Sequence, residues 1–182
     1  MKVLLLVMAL NFACVSNVFA QKVAISDLPQ LREQVVELLK QKYPSYSVMS
    51  LDEVIKHSFK SEHSNEYPGL VFGNFRHPSI TDCAVLLVDF QKPKSSIKLL
   101  VLVLGVNTAS PKIQIVHDYR KDKNPFLEVY LAYEQRRTVA DIEKDTWVDM
   151  TSAGFSLNPF DRGGEQVFYW DNDKLKSVWV TD

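Results

Sequence analysis

Cysteine is scarce, with two residues in 182, at positions 14 and 83, so no network of disulfides can staple the fold. Glycine is sparse too, six residues in all, which excludes a collagen-like repeat. There is no phosphate-binding Gly-rich loop, no Gly-x-Ser-x-Gly elbow and no His-Glu-x-x-His pair. Neither sign of charge is in excess: 21 Lys plus Arg face 22 Asp plus Glu, for a net charge of -1. That balance gives no general pull toward nucleic acid or an acidic membrane surface. What the chain does have is 46% hydrophobic and 11% aromatic residues. This is enough for the core of one domain of ordinary size, and too much for a disordered chain.

The first apolar run, residues 3–13, follows Lys2 and leads into Val18-Phe19-Ala20. Small side chains three and one residues before Gln21 suit the narrow subsites of a signal peptidase, so residues 1–20 read as a cleaved secretory signal. A membrane anchor needs about 20 apolar residues to cross a ~30 Å hydrocarbon core, and this run has roughly half that. No stable membrane insertion is therefore expected after cleavage. A lipoprotein cut before Cys14 is the alternative, although Asn11 stands where such a cut wants a Leu-like side chain. The expected mature chain, residues 21–182, is a single periplasmic or secreted domain that keeps one cysteine. Cys83 opens the apolar run C-A-V-L-L-V-D-F and reads as a small buried hydrophobe rather than a nucleophile.

Periodicity sets the expected organisation. Asp27-Leu28-Pro29-Gln30 supplies an N-cap, a Pro in the first turn and a Gln three residues on. Leu28, Leu31, Val35, Leu38 and Leu39 then recur at helical spacing, which predicts an amphipathic helix ending near Lys42. Ser50-x-x-Glu53 predicts a second, shorter helix with Leu51, Val54, Ile55 and Phe59 inward. From Gly69 onward the period changes to that of strands, predicted at 70–75, 83–90, 97–106, 113–119 and 126–132. The runs A-V-L-L-V and L-L-V-L-V-L are apolar at successive positions, so both faces must be covered and these two strands should be central. V-F-Y-W and L-K-S-V-W-V around D-N-D-K predict a closing hairpin. Residues 134–159 show no clear period. The expected fold is α+β: two N-terminal helices packed on a mostly antiparallel sheet of about six to eight strands.

The segment G-N-F-R-H-P-S-I-T-D-C-A-V-L-L, residues 73–87, resembles G-D-F-D-G-N-G-x-x-D-Y-A-V-L-L in a family of small exported bacterial proteins of unknown function. In that family an acidic FG-GAP-type loop joins two strands. Its members also have K-Y-P-x-Y after the first helix, here residues 42–46, and end in Y-Y-W-x-x-G-K-x-x-x-I-W-V-S-D, here F-Y-W-D-N-D-K-L-K-S-V-W-V-T-D. The resemblance implies fold and export rather than an activity. Asn74, Arg76, Pro78 and Asp82 stand at the positions of the acidic ligands. One carboxylate and one added positive charge make a poor calcium loop. Arg76 is expected to pair with Asp82 instead and close the turn without metal.

Elsewhere His57, His63, Glu62 and Glu66 carry ligating atoms, but their spacing fits no common site, and no metal or other cofactor is expected. His117 would share a strand face with Ile113, Ile115 and Tyr119 and reads as a boundary histidine. Three segments have the anchors of a protein-binding surface: the charged loop 118–125, the cationic pair in E-Q-R-R at 134–137, and the two phenylalanines of 155–164. The residues expected to bind are Tyr119, Arg120, Arg136, Arg137, Phe160 and Arg162. The function expected is that of an exported, non-enzymatic protein-binding factor. In its sharpest form it is an inhibitor or immunity-type protein that neutralises an envelope-targeted toxin or lytic enzyme. A periplasmic hydrolase with unrecognised residues, and a module for glycan or a small ligand, are the alternatives.

Overall fold

The computed structural model describes residues 21–28, 30–51, 67–89, 97–122, 129–160 and 163–180. The expected signal peptide lies outside the described residues. In the first half the elements are β1 (Gln21–Val23), α1 (Glu33–Lys42), β2 (Tyr46–Ser50), β3 (Leu70–His77) and β4 (Ile80–Asp89). Then come β5 (Ile97–Leu104), β6 (Lys112–Asp118), β7 (Val129–Glu134), β8 (Thr138–Asp141) and β9 (Thr146–Asp149). The chain closes with β10 (Gly154–Pro159), β11 (Glu165–Asp171) and β12 (Lys174–Val180).

The two uninterrupted apolar runs become β4 and β5, which pair antiparallel in the middle of a six-stranded sheet. Period-2 alternation divides their side chains between two cores. Cys83, Val85, Leu87, Leu99, Val101 and Val103 join one cluster, and Ala84, Leu86, Val88, Leu100 and Leu102 join the other. Helix α1 covers the first face through Val35, Val36 and Leu39, together with Ile25, Leu28 and Leu31. A four-stranded antiparallel sheet in the order β12-β11-β10-β7 covers the second. Its Leu131, Phe155, Leu157, Phe168 and Trp170 pack against β4 and β5, and Phe155 stacks on Phe168 at 5.0 Å between ring centroids.

One edge of β4 is shared. Strand β3 takes its residues from 80 to 85, and β2 takes those from 87 to 89. Gly69 sits at the join, where a Cβ would lie 2.3 Å from the Met49 carbonyl oxygen. The close backbone approach therefore requires glycine. The last hairpin forms as predicted, with Asn172 and Asp173 both at positive φ, 50° and 61°. That is the backbone a two-residue turn needs to match the strand twist.

The helical part of the expected fold is corrected. Among the described residues there is one α-helix, and strands arranged in three antiparallel sheets make up most of the rest. The chain is not two helices on a single sheet. Helix α1 ends at Lys42 as its pattern predicts, but begins at Glu33 with Arg32 at the N-cap. Asp27 instead closes a 3-10 turn, Ile25–Asp27. Leu28 and Leu31 reach the core from a turn in which the Leu31 N–H donates to the Leu28 carbonyl. Ser50 is the last residue of β2, opposite Gln21, rather than a helix cap. The body of the second expected helix lies outside the described residues. No described helix is long and apolar enough to cross a membrane.

Candidate binding surface

The β3–β4 turn, where an acidic loop would sit, is closed by an internal cation. Asp82 is fully buried. Arg76 Nε donates to its Oδ2 at 2.9 Å and Nη2 to its Oδ1 at 2.7 Å. The Gly105 N–H adds a third donor at 2.8 Å, and the guanidinium lies 5.8 Å above the Trp170 ring. The hydrogen bond to Asp82 raises the arginine's own pKa. Asn74, although exposed, bridges the same turn, since Nδ2 donates to the Pro78 carbonyl at 2.6 Å. The expected Arg76–Asp82 pair is thus present, with a more deeply buried carboxylate than a surface bridge would have. Among the described residues no three His, Cys, Asp or Glu side chains gather to hold a metal. His57, His63, Glu62 and Glu66 lie outside the described residues.

Two histidines have acid or hydroxyl partners. Ser79 Oγ is 2.9 Å from His77 Nδ1, but the Ser79 N–H donates to the same nitrogen at 3.2 Å. Ser79 is in the exposed two-residue turn 78–79 and His77 is the last residue of β3 before it, so the imidazole acts as a turn cap rather than as a base in a cleft. His117 Nε2 is 2.9 Å from Asp122 Oδ2, and its ring lies 4.3 Å from that of Tyr119. The expected alternation from Ile113 to Tyr119 is broken by a register shift on β6, which sets Ile115 opposite Val101 but His117 opposite Leu100.

The six expected binding residues fall in separate places. Tyr119 is a core residue, and burial pushes its phenol pKa well up, so it does not offer a surface anchor. Arg120 is exposed but closed onto Asp118 by bonds of 2.7 and 2.6 Å, which pull that carboxyl down to about 2. Arg162 lies outside the described residues. Arg136, Arg137 and Phe160 belong to the side of the four-stranded sheet that faces away from β4 and β5.

On that side alternation brings Glu134 of β7, Ser156 and Asn158 of β10, and Glu165 of β11 together. Ser156 Oγ donates to Glu134 Oε1 at 2.7 Å, and Asn158 Nδ2 donates to Ser156 Oγ at 2.8 Å. Arg137 Nη2 lies 3.0 Å from Glu134 Oε2 and also bonds Glu165 Oε1. Burial raises the Glu134 carboxyl above its ordinary value, with the Ser156 hydrogen bond opposing. Beside this network a cleft of about 250 Å³ is lined by Arg136, Arg137, Thr138, Asp149 and Met150. Further along β10, exposed Phe160 packs its ring 5.0 Å from Tyr130.

The hairpin β8–β9 lies over part of the same sheet. Val139 and Val148 pair across it and turn inward with Met150 onto Val167, Tyr169, Val178 and Val180. Trp147, opposite Ala140, consequently turns outward with Thr138 and Asp149, and is 78% exposed. Covering the roughly 150 Å² that this indole still shows would be worth on the order of 4 kcal/mol at about 25 cal/mol/Å², which the isolated chain leaves unused. Sequence reasoning missed Trp147. The available signal was an aromatic residue among charges, K-D-T-W-V-D, one position out of phase with the inward Val148.

These groups suit recognition better than reaction. The Ser156 hydroxyl donates to Glu134 and accepts from Asn158, so its hydrogen-bonding capacity is used within the network. No protein-family model, curated protein or solved structure matches the chain.

Proposed function

We propose that the chain is an exported protein-binding factor that engages its partner through the outer face of β8–β9 and the adjoining cleft. The observation that carries this reading is Trp147, 78% exposed on the face of β8–β9 that it shares with Thr138 and Asp149, which line the cleft with Arg136. Tryptophan and arginine are the side chains that most often dominate interface energetics, because each combines large contact area with directional donors. Ile142, also exposed at the hairpin turn, extends the apolar area. Export rests on the signal-like residues 1–20 and on the resemblance to exported bacterial proteins. In its sharpest form the partner is an envelope-targeted toxin or lytic enzyme, which the chain inhibits by covering it.

The test is retention of such an enzyme by the immobilised mature chain, with inhibition measured in parallel. Wild-type protein should retain and inhibit it, and Trp147→Ala and Arg136→Ala should each weaken both effects without changing the thermal melt. Retention of an envelope glycan in place of a protein would overturn the reading in favour of a glycan module. Equal retention by wild type and both variants would show that the surface is wrong.

A further inference from the structure

Glu134, Arg137 and Glu165 form a trio in which one guanidinium serves two carboxylates, leaving one negative charge uncompensated. Their side chains are 12%, 45% and 13% exposed, so the carboxylates are largely withdrawn from water. The charged groups facing Glu134 among the described residues are Arg137, from the segment leading into β8, and Glu165, from β11. Strand β10 adds only the neutral Ser156 hydroxyl.

Arg137 is also where the hairpin closes, because its carbonyl accepts the Met150 N–H at 3.0 Å. Its side chain therefore ties the base of β8–β9 to two strands of the four-stranded sheet. No strand ladder joins the hairpin to that sheet. Besides the trio, the inward apolar residues and a backbone bond from the Ile142 N–H to the Trp179 carbonyl hold it there.

We propose that the trio is a proton-controlled clasp, in which uptake of one proton by Glu134 seats β8–β9, and with it Trp147, more firmly on the sheet. With the hairpin lifted, both carboxylates are hydrated and ionise as they do in water. With it seated, two withdrawn carboxylates share one cation, and a neutral Glu134 removes the surplus charge while keeping Arg137 paired to Glu165. Burial, reinforced by the charge of Glu165, outweighs the opposing contacts of Ser156 and Arg137 and lifts the Glu134 pKa above 4.5 in the seated state. Seating then takes up a proton. Acidification through the range just above 4.5 favours the seated hairpin, by no more than tenfold per pH unit for one coupled proton. The consequence for partner binding rests on the proposed function, whereas the clasp itself does not.

Amide exchange of the β8–β9 backbone, corrected for intrinsic rates, tests this on the intact mature chain without any partner. Wild-type protection should rise from about pH 7.5 to about pH 5, within that tenfold-per-unit limit. Glu134→Gln should be well protected at both pH values, and Arg137→Met poorly protected at both, with β4 and β5 protection unchanged. Glu165→Gln, which removes the surplus charge from the other side, should flatten the pH response as well. Wild-type hairpin protection that is flat or falls on acidification overturns the proposal, and so does a rise that persists in Glu134→Gln. Since no partner enters the measurement, its failure is distinguishable from failure of the binding reading.

Discussion

Arg76 and Arg137 both reach carboxylates on a neighbouring strand, but the charge they meet is different. Arg76 serves only Asp82, fully buried, with both oxygens bonded and the Gly105 amide completing the set. Arg137 serves two carboxylates and keeps nearly half of its side chain in solvent. In the first place charge and hydrogen-bonding capacity close on themselves. In the second a charge is left over, beside a cleft and an exposed tryptophan. The comparison separates a polar cluster that holds the fold together from one that still has something to offer another molecule or a proton.

The sharpest way to break the comparison is at Arg76. Arg76→Met would leave Asp82 buried and unpaired, and should cost about 3 kcal/mol or more in denaturant unfolding. Adding Asp82→Asn should recover part of that loss. A single-variant cost as small as that of an ordinary surface change would put the two arginines in the same class. Trp147→Ala should act on the other quantity, lowering partner affinity by about thirtyfold, or ~2 kcal/mol, with stability unchanged by calorimetry. Arg137→Met should cost only about 1 kcal/mol in denaturant unfolding, since its guanidinium is partly hydrated.

Glu134→Gln should change stability least, by about 0.5 kcal/mol at most near neutral pH, on the stabilising side. The sign follows from linkage. A carboxyl whose folded pKa is raised binds its proton more tightly in the folded state. Wild-type stability from this group therefore falls as pH rises from 4.5 through the raised value. Unfolding curves for Glu134→Gln should lack that component. Calcium should do nothing: with Arg76 on Asp82, millimolar calcium should leave the melt unchanged, and a clear rise reversed by chelator would count against a closed turn.

How legible each region was in the sequence follows the same physics. The central strands were readable because a strand covered on both faces has no polar alternation, and β4 and β5 have none. The last hairpin was readable because Asn172 and Asp173 tolerate positive φ. The Arg76–Asp82 pair followed from the loss of acidic residues around a retained one. The start of α1 misled because spacings of three and four residues at Leu28, Leu31 and Val35 suit a packed turn as well as a helix. Hairpin β8–β9 was opaque because each strand has four residues and the buried ones are Val139 and a carboxylate, Asp141, with Val148 only partly covered. Short, half-solvated strands have little periodicity to show. The binding surface was half legible for the same reason: Arg136, Arg137 and Phe160 were visible as residue types, whereas Trp147 needed the register of that hairpin.

Cys83 has a further use. Its sulfur is completely enclosed at the centre of β4, and burial raises the thiol pKa well above its ordinary value. Its side chain lies on the face covered by α1 and residues 25–31, so lifting of β8–β9, which packs on the other sheet, does not expose it. A thiol reagent therefore meets this residue only when that cover leaves the main sheet, so the labelling rate is a clock for opening of the core rather than of the hairpin. Timed beside exchange at the hairpin, that clock separates a molecule rearranging its surface from one coming apart.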